Sequence, residues 1–267
     1  MPGHWTGGMG GAEFQAKLII DGLLEKGDSN IHYLCRYAKP ELVDEPYHIH
    51  LIGKRGVISK RSLVFDCFSL YAKLVELQPD IIYQRQGCCY TGVSQFYAKK
   101  HGAKLVWHVA SDNDVTPHIK GVKKGLIGRL LNFVDKKILE YGIKHVETII
   151  AQTQEQSSLM SQYYSRSPTE VIGNFHPIPT ANNCHSYNEK TILWVANFKP
   201  IKAPEKILAL AKLLPDFQFK MIGRCDQKVY GSLLKKIEES KNIDYLGPKS
   251  QTEVNELLAS ATFFLNT

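Results

Sequence analysis

Val146-Glu147-Thr148-Ile149-Ile150-Ala151, followed by Thr153-Gln154-Glu155-Gln156, changes character within a few residues. The first part is an apolar, β-branched run of the kind buried on both faces of a parallel sheet. The second part is a capping box, in which a threonine and the glutamine three positions on satisfy each other's backbone N–H groups. A helix is therefore predicted to open there and run to about Tyr164. A buried strand that feeds directly into a capped helix is the unit of a parallel α/β fold.

Working outward, the same unit recurs on both sides. Towards the N-terminus, a strand over 80–83 precedes a helix over 91–101 closed by Gly102. A strand over 104–109 then leads into a long helical pattern over 117–142, interrupted by Gly121, Gly125 and Gly128. Earlier still come a helix over 12–26 stopped by Gly27, β-prone runs at 31–35 and 47–52, and a helix over 62–78 that halts before Pro79. Towards the C-terminus, a short strand at 170–172 gives way to a loop holding Pro177, Pro179, Asn182 and Asn183, the natural domain boundary. Beyond it, strands at 191–195, 217–222, 242–246 and 262–265 alternate with helices at 204–214, 228–240 and 250–260, the last opened by the capping box Ser250-Gln251-Thr252-Glu253. The prediction is α/β: two doubly wound Rossmann-like domains, residues 1–180 and 190–267, facing across a cleft. Ligands are expected there, at the C-terminal ends of the strands.

Composition bounds the rest. Of 267 residues, 43% are hydrophobic and 22% charged, ordinary values for a soluble globular protein. No apolar run approaches the roughly 18–20 residues of a membrane span, and the N-terminus lacks the apolar stretch of a signal peptide. The chain therefore reads as cytoplasmic, with peripheral contact at the inner face of a membrane left open. The net charge of +7 is spread over both domains; it suits an anionic ligand without calling for nucleic acid. The six cysteines form no C-x-x-C pair and have no histidine at zinc-like spacing, so they read as reduced thiols, with Cys88-Cys89 packed rather than redox-active.

Several stretches carry candidate chemistry. Gly7-Gly8-Met9-Gly10-Gly11-Ala12-Glu13 runs into a helix, where free N–H groups and the helix dipole favour a phosphate or diphosphate. The glycines read as needed for close backbone approach or positive φ, although a ligand-free capping turn fits the residues equally well. Lys202 stands just before the first helix of the second domain, where its ammonium and the helix N-terminus can converge on one phosphate; a solvated lysine beside a turn is the plainer reading. Arg85 ends a strand and reads either as a surface ion pair or as a phosphate or acceptor contact. His108 and Asp112, in Trp107-His-Val-Ala-Ser-Asp-Asn-Asp114, follow another strand; His108 fits a packed, hydrogen-bonded histidine as well as a catalytic one. The 117–145 segment interleaves Lys120, Lys123, Lys124, Arg129, Lys136, Lys137 and Lys144 with apolar residues. It reads either as a surface for an anionic membrane or as a helix packed on the sheet with a solvated basic face.

Taken in order, these motifs resemble the family 4 glycosyltransferases of GT-B fold. The resemblance rests on Gly10-Gly11-Ala12-Glu13 before a helix, then Ile149 to Gln156, then Val171-Ile172-Gly173-Asn174 at the end of the first domain. It continues through Lys202-Ala203-Pro204-Glu205, Met221-Ile222-Gly223, Ile243-Asp244-Tyr245-Leu246-Gly247 and the segment from Glu253 to Asn266, and so spans nearly the whole chain. It implies hexosyl transfer from a UDP- or GDP-linked sugar to a saccharide or lipid-linked acceptor, retaining and metal-independent, with no further cofactor. Gly10 and Gly11 would lie against the donor's diphosphate and Lys202 would neutralise it. Gly223, Gly247 and Pro248 would line the nucleoside pocket. Ser111-Asp112 falls nearest the family's His-Asp pair beside the reacting sugar, with His108 three residues early. Asp112-Asn113-Asp114 also spells the Asp-x-Asp of metal-dependent glycosyltransferases, but the second-domain motifs belong to the metal-independent fold.

Two departures matter. Asn197 stands where the family carries an arginine, so a donor contact there brings a hydrogen bond and no charge. The family's Glu-x7-Glu motif would lie beyond Thr267, and no strand precedes the glycine turn, so the chain is expected to be truncated at both ends with its second domain incomplete. A non-catalytic nucleotide-binding fragment and a GT-B-fold sugar-nucleotide epimerase are the alternatives.

Overall fold

A computed structural model describes residues 4–5, 10–28, 30–36, 46–53, 63–117, 125–176 and 190–267. Gly7 to Met9, residues 118–124 and the expected boundary loop at 177–189 lie outside them. The chain divides into two compact units, Met1–His176 and Pro177–Thr267.

In the first unit, helix α1 (Gly11–Glu25) leads to a parallel pair of strands, β1 (His32–Cys35) and β2 (His48–Leu51). A 3-10 turn (Leu63–Asp66) runs into α2 (Cys67–Leu77). The sequence pattern reads this as one helix, but its first turn is wound tighter, with the Asp66 carboxylate drawn inward to the Arg36 guanidinium (2.6 Å) and the Tyr90 hydroxyl (2.7 Å). Then come β3 (Ile81–Arg85), α3 (Cys89–His101), β4 (Lys104–His108), a short α4 (Asp112–Val115), α5 (Leu126–His145), β5 (Thr148–Ala151), α6 (Gln154–Tyr164) and β6 (Glu170–Val171). Strands β3-β4-β5-β6 pair in that order, all parallel. Trp107, Leu139, Ile143, Ile149 and Met160 fill the core beside them.

Close approach of α3 and α5 rests on a glycine pair. A Cβ at Gly92 would lie 2.0 Å from the Ile138 carbonyl oxygen, and one at Gly142 would lie 2.7 Å from the Gly92 nitrogen. Backbone meets backbone here, so no side-chain rotation relieves an added methyl.

The second unit repeats the alternation: β7 (Thr191–Val195), a 3-10 turn (Pro200–Lys202), α7 (Glu205–Leu213), β8 (Gln218–Ile222), α8 (Gln227–Glu238), β9 (Ile243–Gly247), α9 (Gln251–Ser260) and β10 (Phe263–Leu265). Its strands pair in the order β10-β7-β8-β9, again all parallel. Trp194, Ile207, Phe219, Met221 and Ile237 form its core. The first four residues of β7 are buried without alternation, as a strand covered on both faces requires. Each unit is thus a parallel, doubly wound, Rossmann-like α/β body, and the C-terminal ends of its strands are the ligand edge.

Two glycines separate packing from propensity. Gly92→Ala should lower unfolding free energy by about 2–3 kcal/mol through overpacking. Gly231→Ala, inside α8 with open space around its Cβ position, should raise it by about 0.5–1 kcal/mol. Urea denaturation followed by circular dichroism measures both, and equal effects would refute the close-approach argument.

Candidate functional site

At the ligand edge of the second unit, three strand ends are tied together by backbone. The Phe198 amide donates to the Arg224 carbonyl (2.9 Å), the Arg224 amide to the Asn197 side-chain oxygen (2.9 Å), and the Gly223 amide to the Gly247 carbonyl (3.0 Å). The Tyr245 hydroxyl donates to the Gly223 carbonyl (2.8 Å). Gly223 has φ of +147°, and a Cβ there would lie 1.9 Å from the Ala196 carbonyl oxygen, so glycine is required. Gly247 turns through φ of +69°, and Pro248 after it is exposed.

Lys202 closes the 3-10 turn before α7, followed by Ala203 in the left-handed region (φ 39°). A buried anchor holds this turn: Trp194 Nε1 donates to Thr267 Oγ1 (3.0 Å), whose hydroxyl donates to the Lys202 carbonyl. Asn197 therefore uses its side-chain oxygen to brace the neighbouring loop and retains its Nδ2 group as a donor. The residue it braces, Arg224, is exposed and has no ion pair among the described residues. Arg224 is not among the residues that the sequence pattern singles out. Its signal was a cation immediately after the strand-end glycine, which becomes meaningful only once β7 and β8 are known to be neighbours.

In the first unit, Arg85 and His108 end the adjacent strands β3 and β4 as direct partners. Arg85 is only 2% exposed, which corrects its reading as a surface ion pair. Its Nη2 donates to Asn174 Oδ1 (2.5 Å), and its Nη1 lies 3.3 Å from His108 Nδ1 and 3.5 Å from the Tyr83 hydroxyl. Tyr83 also bonds His108 Nδ1 at 2.8 Å. Arginine can only donate, so Nδ1 is the acceptor and the imidazole proton sits on Nε2. Burial, then the Arg85 charge, depress the His108 pKa to about 4, against a smaller opposing pull from the Ile172 backbone. His108 is thus a neutral acceptor that positions Arg85.

Asp112 is exposed in the first turn of α4 and accepts from Gln156 Nε2 (3.1 Å), so it does not pair with His108. Asp114 is buried, its carboxylate accepting from the Ala110 (2.8 Å) and Ser111 (3.2 Å) amides. The Asp-x-Asp pattern is therefore a helix cap, Ser111-x-x-Asp114, of the same type as Ser250 to Glu253.

Gly10 takes an ordinary extended conformation (φ −109°) as N-cap of α1. A Cβ there would meet only the flexible end of Glu13, and Gly11 has open space, so neither needs to be glycine for the fold. Further along α1, Gln15 makes two 2.7 Å bonds to the Phe175 backbone, fixing the segment that carries Asn174.

In α5, Leu139, Gly142 and Ile143 are buried, and the helix packs on α3. Its outward face, however, is apolar: Leu126, Ile127, Leu130 and Phe133 are 85%, 73%, 61% and 57% exposed, with Arg129, Lys136 and Lys137 also exposed. The helix is thus packed with its described basic residues solvated, and its solvent face is apolar as well as basic. Among the described residues no helix is long and apolar enough to cross a membrane.

No family model matches the chain, and no curated protein matches it. Solved structures do. A sucrose-phosphate synthase from Thermosynechococcus elongatus matches with a TM-score of 0.69 at 12% identity, over 99% of this chain and 71% of that one. WaaG, a glycosyltransferase involved in lipopolysaccharide biosynthesis, matches at 0.61 and 13% identity, over 100% and 73%. The UDP-GlcNAc 2-epimerase from Methanocaldococcus jannaschii matches at 0.55 and 12% identity, over 96% and 76%. Against an S. aureus TarM structure, the chain spans 40% of that chain's length. At these identities the likeness establishes the fold: the chain has the Rossmann-like α/β architecture of GT-B glycosyltransferases.

His108 also sets a pH dependence. Its folded pKa lies below the ordinary histidine value, so between about pH 6.5 and pH 4 the unfolded chain binds the extra proton. Stability should be level above pH 6.5 and fall as pH drops towards 4. His108→Gln should flatten part of that slope in thermal unfolding at pH 7.5, 6 and 5, with His4, His32 and His50, also depressed by burial, supplying the remainder. An unchanged slope would contradict the neutral, buried assignment.

Proposed function

We propose that the chain is a glycosyltransferase that moves a hexosyl group from a UDP- or GDP-linked sugar to a saccharide or lipid-linked acceptor. The observation that carries this reading is the ligand edge of the second unit, where Asn197 and Phe198 tie the loop after β7 to Arg224, Gly223 bonds Gly247, and Lys202 closes the 3-10 turn that follows β7. Lys202 and Arg224 meet the donor's diphosphate, and Asn197 adds a hydrogen bond. Arg224 thereby restores the positive charge that Asn197 does not bring. Gly223, Gly247 and Pro248 offer bare backbone and a flat ring to the nucleoside. The leaving diphosphate gains negative charge as the glycosidic bond breaks, and fixed cations stabilise it at the moment the charge develops. The sugar passes through an oxocarbenium-like state. Because two side-chain cations supply the neutralising charge, we read transfer as metal-independent, and the family resemblance adds retention of configuration. Gly10 and Gly11 keep their proposed part as amide donors at the start of α1. Asp112, exposed beside β4, is the candidate for contact with the reacting sugar.

A sugar-nucleotide epimerase is the second reading, since a solved epimerase shares the fold. It would use the same diphosphate cations but need no acceptor.

The exposed apolar face of α5, flanked by Arg129, Lys136 and Lys137, suits an anionic bilayer at which a lipid-linked acceptor would reside.

Two measurements follow from this assignment. In calorimetric titrations with UDP- and GDP-sugars, Lys202→Ala and Arg224→Ala should each weaken donor binding about ten- to hundredfold, the loss of one charge-assisted hydrogen bond. Wild-type affinity in both variants would refute the diphosphate assignment. In sedimentation with vesicles, the protein should bind phosphatidylglycerol-containing membranes and not pure phosphatidylcholine. Leu130→Ser with Phe133→Ser should lower that binding about tenfold or more, and binding independent of these residues would refute the α5 surface.

A further inference from the structure

Arg85 has an electrostatic problem that its surroundings do not solve. Among the described residues no other lysine or arginine is buried. A buried guanidinium is costly unless an anion compensates it. The same unit shows the ordinary solution at Asp66, whose buried carboxylate sits 2.6 Å from Arg36. Among the described residues Arg85 has no such partner: every group it meets there, Asn174, His108 and Tyr83, is neutral, and its Nε has no acceptor. A buried polar atom left without a partner calls for a specific explanation, an unseen ion among them.

The setting points the same way. Arg85 ends β3 on the ligand edge of a parallel sheet. The Asn174 that accepts from it is exposed, so a surface side chain is what separates the buried guanidinium from solvent. The neighbouring imidazole turns its acceptor nitrogen Nδ1 towards the guanidinium, so it braces Arg85 without adding charge.

We propose that Arg85 is the base of an oxyanion site. A phosphate or carboxylate group enters where the Asn174 carboxamide now stands and takes paired hydrogen bonds from the guanidinium. Asn174 is its neutral placeholder. Assigning that oxyanion to the acceptor, which would then be an anionic sugar or lipid, rests on the glycosyltransferase reading; the site itself does not.

The test uses thermal unfolding of the full chain at fixed ionic strength, with inorganic phosphate, glucose 6-phosphate, glucuronate and phosphatidic acid vesicles as probes and chloride as control. At least one oxyanion probe should raise the wild-type midpoint by about 2–4 °C, and Arg85→Gln should lose that rise. Whether the soluble sugar anions or the vesicles act identifies the source. Asn174→Asp supplies the missing carboxylate directly: it should raise the midpoint without ligand and abolish the response. A response equal in wild type and Arg85→Gln would mark adventitious binding at other cations and overturn the proposal. So would an absent response, or an Asn174→Asp variant no more stable than wild type. UDP separates this inference from the reading it deepens. If UDP fails to stabilise the wild type while phosphate succeeds, the glycosyltransferase reading falls and the site stands. If Asn174→Asp abolishes the UDP response, Arg85 belongs to the donor and the acceptor assignment falls.

Discussion

Where β7 and β8 end, backbone packs on backbone, and the ligand edge of the second unit follows from that contact. With hydrogen in place of a methyl at Gly223, the Ala196 carbonyl can occupy the space where a Cβ would lie 1.9 Å from its oxygen. The two following loops are thereby brought within hydrogen-bond reach, so that Asn197 can hold the Arg224 amide and the Phe198 amide can hold the Arg224 carbonyl. Each of those bonds orients a residue that carries either charge or donor capacity. A larger residue would push the loops apart and would also have to adopt φ of +147°, a conformation L side chains rarely reach.

In the first unit the equivalent constraint is a crossing segment rather than a contact between loops. After β6 the chain is pinned by the Ile172 amide to the Ala151 carbonyl, by Asn174 to Arg85, and by Phe175 to Gln15 of α1. Those three attachments come from three separate elements. They carry the chain over strand ends that would otherwise stand open, and the burial of Arg85 and His108 belongs with that path. The neutral state of His108 is a consequence as well: a second positive charge beside Arg85, out of water, would be repelled and poorly solvated.

The alternation of strands and helices was legible because period and caps are local. The capping box at Ser250 forms, and at Thr153 the threonine half forms while the Gln156 side chain accepts from the Gln152 amide instead; the unalternating apolar run of β7 is buried as its composition demands. Ser111 to Asp114 has the same spacing and forms a cap too, with aspartate in place of the glutamate or glutamine that usually marks one. Failures at the sites have a common cause, which is dependence on distant partners. An arginine at a strand end looks exposed until a residue 89 positions away is found to bond it. The charge absent at Asn197 is legible as an absence, but its counterpart at Arg224 depends on β7 and β8 lying side by side. For α5, periodicity shows that Leu126, Leu130 and Phe133 share a face, and cannot show whether another element covers it.

The cations of the two units answer different energetic questions. Lys202 and Arg224 remain at least partly solvated, so holding them charged without a ligand costs little. In the proposed transfer their value would lie in charge that develops during bond breaking, when preorganised cations need no reorganisation. Arg85 is the opposite case. Its desolvation is already incurred in folding, and neutral acceptors recover only part of it, so an oxyanion arriving there would relieve an existing cost rather than create one. Such a group discriminates by charge more sharply than a solvated lysine does. A neutral ligand would exchange one neutral acceptor for another, whereas an anion would gain the full interaction in a poorly screened environment. On that physics, the proposed roles divide: the second unit's edge would stabilise a leaving group, and Arg85 would select a partner by its charge.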